Sequence, residues 1–325
     1  MNADLVREGV ANLIRHCAEV RPGERVLIVN VRGKIDPWLV ASIEQAARSA
    51  GAACDTVWID PLDKHAAELP APLAQAIPGS DKLIFNGPVS RILLNRALEK
   101  REIVEIHNYC LDGAAMSAPD ARFDWRELRQ LFTRIEEAMA GAQTWSITTD
   151  LGTRLSGRIA AATDVAHAFF GKAGDSLRKR RVFPGEVYSP VGVVGVEGRL
   201  CVQYVNEIDN LAWEDPVTVT ISDSRIVGLR GSGPHKAVLE HLLEARRARY
   251  GEQAMMLDSW HGGMNPRART PTADDPRLEG ARTGPALMHA HLGSQLDTIS
   301  AGMLHAVVEV DGHILFDRGQ CRLFD

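Results

Sequence analysis

Thiols are few in this chain and badly spaced for shared chemistry. The five cysteines (Cys17, Cys54, Cys110, Cys201 and Cys321) are scattered, odd in number and form no CxxC pair. Neither a disulfide framework nor a thiolate zinc site is suggested, and a reducing cytoplasm is the expected location. Long apolar runs are missing too: none approaches the roughly 20 residues that cross a bilayer. From Met1 to Arg15 only Arg7 precedes Arg15, against Asp4 and Glu8, so no basic stretch leads into an apolar core and no secretory signal is expected. Positive charge is not in excess. Lys and Arg number 37 against 42 Asp and Glu, a net charge of -5. That balance argues against nucleic acid or a membrane surface as partner. The basic runs Arg178-Lys179-Arg180-Arg181 and Arg246-Arg247 read as solvated faces. GxSxG and HExxH, the signatures of two common hydrolase classes, are both absent.

What remains is an ordinary globular composition, 45% hydrophobic and 24% charged over 325 residues, enough for two domains and a sizeable core. Strands and helices alternate in the first part. Helical spacing runs from Asp4 to Val20, with Leu5, Val6, Val10, Leu13 and Ile14 on the apolar side. Pro22-Gly23 breaks it, and Arg25 to Asn30 is a short apolar strand. Helix is expected over Trp38 to Ser49, Ser90 to Lys100 and Trp125 to Ala140, and strand over Cys54 to Ile59, Lys82 to Asn86 and Ile103 to Tyr109. Such alternation implies a mostly parallel sheet with helices on its faces. The turn after the first strand, Val31-Arg32-Gly33-Lys34-Ile35-Asp36, has one glycine and neither GxGxxG nor GxxxxGK. A dinucleotide or phosphate-loop role is unsupported, and this part reads as a scaffold or oligomer surface.

Beyond Ala142 the pattern changes to hairpins. Thr144 to Ile159 alternates around a turn at Asp150-Leu151-Gly152. Tyr188 to Val196 and Leu200 to Val205 read as strands parted by Glu197-Gly198, and Pro216 to Ile221 and Arg225 to Leu229 as another pair. A helix over Pro234 to Tyr250 follows. The chain ends on Ala306 to Val310 and His313 to Phe316, joined by Asp311-Gly312, a strong hairpin signal. The expected fold class is therefore an α/β N-terminal domain with a mostly parallel sheet, residues 1–142, and an α+β C-terminal domain, residues 143–325.

Seven of the 11 histidines lie from His235 onward, four of them in three short blocks around His261, His289 with His291, and His305, with His313 just beyond. Imidazole is the commonest metal-ligating side chain and titrates near neutral pH. Trp260-His261-Gly262-Gly263 places an aromatic beside a histidine, with glycines that suit either a ligand's close approach or a plain turn. His289 and His291 point to one face if they lie on a strand, and not if they lie in a loop. His305 opens an apolar strand on which His305, Val307 and Glu309 share a face, as a ligand or as a hydrogen-bonded core residue. Pro184-Gly185 delivers Glu186 to a strand entrance, either as a metal ligand or base or as a solvent-facing carboxylate.

Five stretches, in order along the chain, resemble the aminopeptidase T family of leucyl aminopeptidases and its relatives, the 2,5-dihydroxypyridine 5,6-dioxygenases. They are Thr149-Asp150-Leu151-Gly152-Thr153-Arg154-Leu155, Pro184-Gly185-Glu186-Val187-Tyr188-Ser189-Pro190, Gly263-Met264-Asn265-Pro266, His289-Ala290-His291-Leu292-Gly293, and the His305 strand with Asp311-Gly312 and Phe316-Asp317-Arg318-Gly319. The resemblance spans roughly residues 144 to 319. It implies a Rossmann-like scaffold domain before an aminopeptidase T-like catalytic domain that holds metal, and commonly a homodimer. The peptidases of the family hold two metal ions. In this sequence Glu186 matches the glutamate of their GEV motif, His289 the histidine before Leu-Gly, and His305 the histidine of a terminal His-x-Asp.

Three departures bear on the chemistry the resemblance implies. Val307 replaces the aspartate of His-x-Asp, Ser259-Trp260-His261-Gly262 stands where a glutamate is expected, and Leu296 replaces a tyrosine. Two adjacent divalent ions need bridging carboxylates, so their loss disfavours a dinuclear centre. A histidine-rich set suits one iron or zinc ion. The Trp-His pair resembles the ring-cleaving branch, with its mononuclear Fe(II). The implied enzyme is an Fe(II) dioxygenase that opens a hydroxylated pyridine-like ring. Its metal ligands are His261 and His305 with a third from His289 or Glu186 (or Glu309), and His291 is the catalytic acid/base for a small-molecule substrate. The alternatives are a zinc-dependent, aminopeptidase-like hydrolase and a metal-free relative without activity.

Overall fold

The computed structural model describes residues 2–62, 66, 68–87, 103–160, 180–185, 187–190, 192–209, 211–293 and 297–323. The helix expected over Ser90 to Lys100 lies outside them, as do Glu186 and Leu296. Strands are numbered β1 to β18 along the chain. The chain forms two compact units, Met1–Arg129 with Gly174–Glu186, and Gln130–Ala173 with Val187–Asp325. No described helix is long and apolar enough to cross a membrane.

The first unit is built on a parallel five-stranded sheet. Its strands are β1 (Arg25–Val31), β2 (Ala53–Ile59), β3 (Lys82–Asn86), β4 (Val104–Asn108) and β7 (Arg180–Phe183), in the order β2-β1-β3-β4-β7. A strand covered on both faces must be apolar on both. In β1 Leu27, Val29 and Val31 join Ile59, Leu73, Leu83 and Phe85 in one core cluster, while Val26 and Ile28 are buried on the other side. Each such buried side chain contributes roughly 1.5–3 kcal/mol. The crossover helix Pro37–Ser49 starts on a proline, which suits the first turn, and buries Leu39, Val40, Ile43 and Ala47. The expected helix from Asp4 to Val20 is instead an α-helix, Ala3–Ala11, that continues into a π-helical stretch, Asn12–Cys17.

Two buried polar features mark this unit. Asn30, Asn86 and Asn108 are in register at the carboxyl ends of β1, β3 and β4. Asn86 Nδ2 donates to Asn30 Oδ1 and Asn108 Nδ2 to Asn86 Oδ1, both at 2.8 Å. The second feature corrects the reading of Arg178 to Arg181 as a solvated run. Residues 178 and 179 lie outside the described residues, but Arg180 and Arg181 form β7. Arg181 is buried, donates to Cys17 O and Glu19, and lies 5.4 Å from the centre of the Trp125 ring. Arg180 pairs with the buried Glu105 at 3.3 Å. Apolar neighbours Val182 and Phe183 carry the strand, and a carboxylate partner for each guanidinium makes the burial of Arg181 and the partial burial of Arg180 tolerable.

The second unit contains two antiparallel sheets. The larger has eight strands in the order β12 (Arg225–Arg230), β11 (Val217–Ser222), β9 (Val193–Val202), β6 (Arg154–Ile159), β5 (Thr144–Thr148), β16 (Val307–Val310), β17 (His313–Asp317) and β18 (Gln320–Cys321). The smaller has five: β10 (Tyr204–Val205), β15 (Ile299–Leu304), β14 (Leu287–Leu292), β13 (Leu257–Gly263) and β8 (Val187–Tyr188). The break expected at Glu197-Gly198 is not a turn, because β9 runs straight through it. Gly198 has φ +123°, and a Cβ there would lie 2.0 Å from the Arg154 carbonyl oxygen, so glycine permits the close pairing of β9 with β6. Arg246, expected on a solvated face, is buried against Asp297 at 3.0 Å, whereas Arg247 is exposed and pairs with Glu252.

Aromatic rings join the two sheets. Trp260 of β13 lies 5.6 Å from Trp145 of β5 and 5.9 Å from Tyr188 of β8, and Tyr188 stacks at 4.6 Å on Phe316 of β17. Ring pairs of this kind add about 0.5–1.5 kcal/mol each beyond their burial. Trp260, Met288, Ala290, Ala301 and Met303 make one face of the small sheet a buried apolar layer. The period of two along each strand then sends the intervening residues to the opposite face.

Candidate metal centre

Those intervening residues are Ser259 and His261 on β13, His289 and His291 on β14, and Ser300 and Gly302 on β15. The register sets them in two rows: Gly302, His289 and His261 in one, Ser300, His291 and Ser259 in the other. Cβ atoms directly opposite one another on adjacent strands are about 4.5–5.5 Å apart, within reach of imidazole rings. The ring centres are 4.3 Å apart for His261 and His291, and 5.1 Å for each of the other two pairs. One ring nitrogen from each of His261, His289 and His291 lies within 4.8 Å of the others. His261 is buried at 2% exposure, and the other two are half-buried.

The spacing fits one ion. His261 Nε2 and His291 Nδ1 are 3.3 Å apart. Two nitrogens bound to zinc at 2.0–2.1 Å with a near-tetrahedral angle would be separated by about 3.4 Å. Among the described residues no aspartate or glutamate joins the group. Three neutral imidazoles suit a single borderline divalent ion and offer nothing to bridge two.

The neighbouring glycines serve packing rather than a turn. A Cβ on Gly262 would lie 2.4 Å from the Tyr188 ring, and one on Gly263 would meet the Thr283 and Gly284 backbone at 2.5 Å. His261 therefore sits on a regular strand. Gly302 makes room in the same way: the Tyr204 ring crosses over it, and Tyr204 Oη donates to Met288 O at 2.8 Å. Burial pushes the Tyr204 phenol up, so it stays a donor.

Two polar residues next to the cluster were not singled out from the sequence. The pairing of β13 with β14 slips by one residue between Leu257 and Ser259, and Asp258 falls in that bulge. Ser259 Oγ donates to Asp258 Oδ1 at 2.8 Å. The same oxygen is 3.1 Å from His291 Nδ1 and 3.3 Å from His261 Nε2. Burial pushes the Asp258 carboxyl up to about 6, against the Ser259 hydrogen bond that lowers it. Strand alternation from Ser259 to His261 was the available signal, and the following glycines, which also suit a turn, masked it.

The other expected site residues lie elsewhere. His305 occupies an exposed bend between β15 and β16 with φ 54°, and it is not one of the three converging histidines. The strand expected to begin at His305 begins at Val307. Glu309 is on β16 in the larger sheet, opposite Ser146 of β5. Glu186 lies outside the described residues. His291, expected as an acid/base, stands within the cluster itself.

No family model matches this chain, and no curated protein matches it in sequence. Solved structures do. The chain is similar to 2,5-dihydroxypyridine dioxygenase from Pseudomonas putida KT2440, with a TM-score of 0.73 at 13% identity, over 99% of this chain and 97% of that one. It is also similar to wild-type AmpT from Thermus thermophilus, with a TM-score of 0.59 at 13% identity, over 98% of this chain and 99% of that one. The two kinds of protein suggested by the short motifs are thus found among its structural neighbours. At this identity the likeness establishes a shared fold.

Proposed function

We propose that the chain is a metal-dependent dioxygenase in which His261, His289 and His291 hold a single Fe(II) ion, and that it opens a hydroxylated pyridine-like or related aromatic ring. The observation that carries this reading is the convergence of three imidazoles on one face of the small sheet, with no carboxylate in the group among the described residues. Support comes from the fold shared with the 2,5-dihydroxypyridine dioxygenase. The reaction breaks one ring carbon–carbon bond and places both atoms of O₂ in the product, so it needs no external reductant.

The bound ion supplies Lewis acidity and, as iron, one-electron reactivity toward O₂. The chain's own part is placement. Antiparallel register fixes the imidazoles on two adjacent strands, so little reorganisation is needed to hold an ion. The apolar layer behind them, Trp260, Met288 and Ala290, keeps water from that side. His291 belongs to the ligand set on this reading, which replaces the acid/base role expected from the sequence. His305 is left without a ligand role.

A second reading has its own support. Three histidines with an open position are also a zinc-water hydrolase pattern, and AmpT shares the fold. One experiment separates the two. The protein is purified without oxygen and its metal content measured, followed by O₂ uptake on 2,5-dihydroxypyridine and related dihydroxylated rings and hydrolysis of leucine p-nitroanilide. Stoichiometric iron with ring-dependent O₂ uptake supports the dioxygenase. Zinc with hydrolysis, or iron that drives no O₂ uptake on any such ring, overturns it.

A further inference from the structure

We propose that a cavity at the carboxyl edge of the parallel sheet binds a zwitterionic α-amino acid with a planar side chain. Lys34 holds its carboxylate, Asp36 its ammonium group and Trp58 its ring. The cavity is lined by the first unit alone, shares no residue with the histidine cluster, and is independent of the dioxygenase reading.

The cavity has a volume of about 550 Å³, within the roughly 300–1,000 Å³ common for small-molecule pockets. Residues 32 to 37, the link from β1 to the crossover helix, form one side, and Trp58 of β2 forms the other. Open parallel sheets bind ligands outside the carboxyl ends of their strands. The link has no glycine-rich phosphate loop, so recognition falls to its side chains.

The backbone of the link is tied down at alternate residues. Arg32 N donates to Ile59 O at 2.9 Å, Lys34 N to Val31 O at 3.1 Å and Asp36 N to Leu111 O at 3.0 Å. Gly33 takes φ +71°, and Ile35 is buried. Such a frame presents its charges with little ordering left to do when a ligand arrives. Arg32 is already engaged with Asp60 at 3.4 Å. Lys34 and Asp36 have no ion-pair partner among the described residues, and they do not pair with each other. Their α-carbons are two residues apart, so less than about 8 Å separates them. An amino acid carries both its charges on one carbon, so a single ligand can meet the two.

Asp36 departs from its ordinary role. It occupies the N-cap of the crossover helix, where an aspartate side chain normally accepts from a first-turn N–H. It makes no such bond and lines the cavity instead. A ligand with only a negative charge would be repelled by Asp36, and one with only a positive charge by Lys34. Trp58 is half-buried, and its indole stacks on no other ring among the described residues, which leaves a face for a planar group. The strand edge beside it is polar too. Trp58 is in register with Asn30, whose Oδ1 accepts from Asn86. Asn30 Nδ2 is thereby turned from Asn86 toward the Trp58 side, and this buried donor has no acceptor among the described residues.

The test titrates L-phenylalanine, benzoate and phenethylamine separately into the purified full chain, followed by ligand-observed NMR. The protein is treated with a chelator first, so that an amino acid held by a metal ion is not counted. L-Phenylalanine is expected to bind with a dissociation constant of about 1 mM or tighter. Each analogue lacks one charge and should bind about five- to tenfold more weakly. Lys34→Met should weaken L-phenylalanine and benzoate by about that factor and spare phenethylamine, and Asp36→Asn should weaken L-phenylalanine and phenethylamine and spare benzoate. Lys34→Arg should restore most of the binding. Absence of saturable L-phenylalanine binding overturns the proposal, and so does benzoate or phenethylamine that binds as tightly as L-phenylalanine. Parent-like binding of L-phenylalanine in both Lys34→Met and Asp36→Asn places the ligand elsewhere and overturns it as well. Thermal unfolding identifies any variant that does not fold, and the three ligands on the parent protein then decide the matter. Because the titration uses metal-free protein, its failure leaves the O₂-uptake test of the dioxygenase reading untouched.

Discussion

His261 and His291 are 30 residues apart in sequence, yet His261 Nε2 and His291 Nδ1 lie 3.3 Å apart across two antiparallel strands. The contact depends on pairing. Ser259 is opposite His291 and His261 is opposite His289, so a slip of one residue would turn one strand's side chains toward the apolar layer. Trp260 opposes such a slip, because it would have to leave its position against Trp145 and Tyr188.

Single histidine replacements should divide into two classes. His261→Ala, His289→Ala and His291→Ala are expected to lose stoichiometric divalent metal, each by at least tenfold in affinity, since each leaves two of three ligands. His305→Ala is expected to retain it, because His305 sits exposed at a bend away from the cluster. Metal analysis after dialysis checks both. Loss of metal from His305→Ala with retention in His289→Ala would place the centre elsewhere.

Gly302→Ala should destabilise the small sheet. The added Cβ would lie 1.9 Å from Tyr204 Cζ, and that ring is buried and tied to Met288 O. Overpacking of this kind typically costs about 1–3 kcal/mol. Denaturant unfolding of the purified variant provides the measurement, and an unchanged midpoint would mean that the ring moves aside.

Asn86→Ala should be more costly than its size suggests. Asn86 accepts from Asn108 and donates to Asn30, and all three are buried. Its removal strands a donor and an acceptor, at about 1–3 kcal/mol for each unsatisfied group. A loss below 1 kcal/mol in chemical denaturation would show that water or a neighbouring side chain replaces the amide.

Asp120 should make stability depend on pH. Burial raises its carboxyl from 3.8 to about 6, against backbone hydrogen bonds that lower it. The folded protein therefore holds this proton more tightly than the unfolded chain does. Stability contributed by the neutral carboxyl is fully present below about 4 and is lost as pH rises through about 6. At about 1.4 kcal/mol per pH unit the loss is on the order of 3 kcal/mol. Asp120→Asn should remove this dependence and be the more stable protein at pH 8, as unfolding curves at pH 4.5 and pH 8 would show. Parallel pH dependence in both proteins would contradict the assignment.

Much of the first unit was legible in the sequence. The strands expected at Arg25, Cys54, Lys82 and Ile103 all form within a residue of the expected place, because short runs rich in β-branched and aromatic residues between turn signals mark a strand locally, whether it is buried along its length like β1 and β3 or partly exposed like β2. β7 was not legible. Its arginines resemble a surface run, and only their partners Glu19 and Glu105, more than 70 residues earlier, make burial tolerable. In the second unit the hairpins from Val217 to Arg230 and from Val307 to Asp317 follow from local alternation and turn residues. Ile299–Leu304 was missed, since Ser300, Gly302 and Met303 give a weak strand pattern that only pairing with β14 completes.

Sequence alone determined the two kinds of sheet and marked His261, His289 and His291, together with His305 and Glu186, as residues with chemistry to perform. These follow from local periodicity and residue type. Tertiary structure decided that the three histidines meet, that His305 does not join them, and that Asp258 and Ser259 stand beside them. The reason is that alternation along a strand is a local property, whereas register, bulge position and the choice of strand neighbours depend on side chains that meet only after folding.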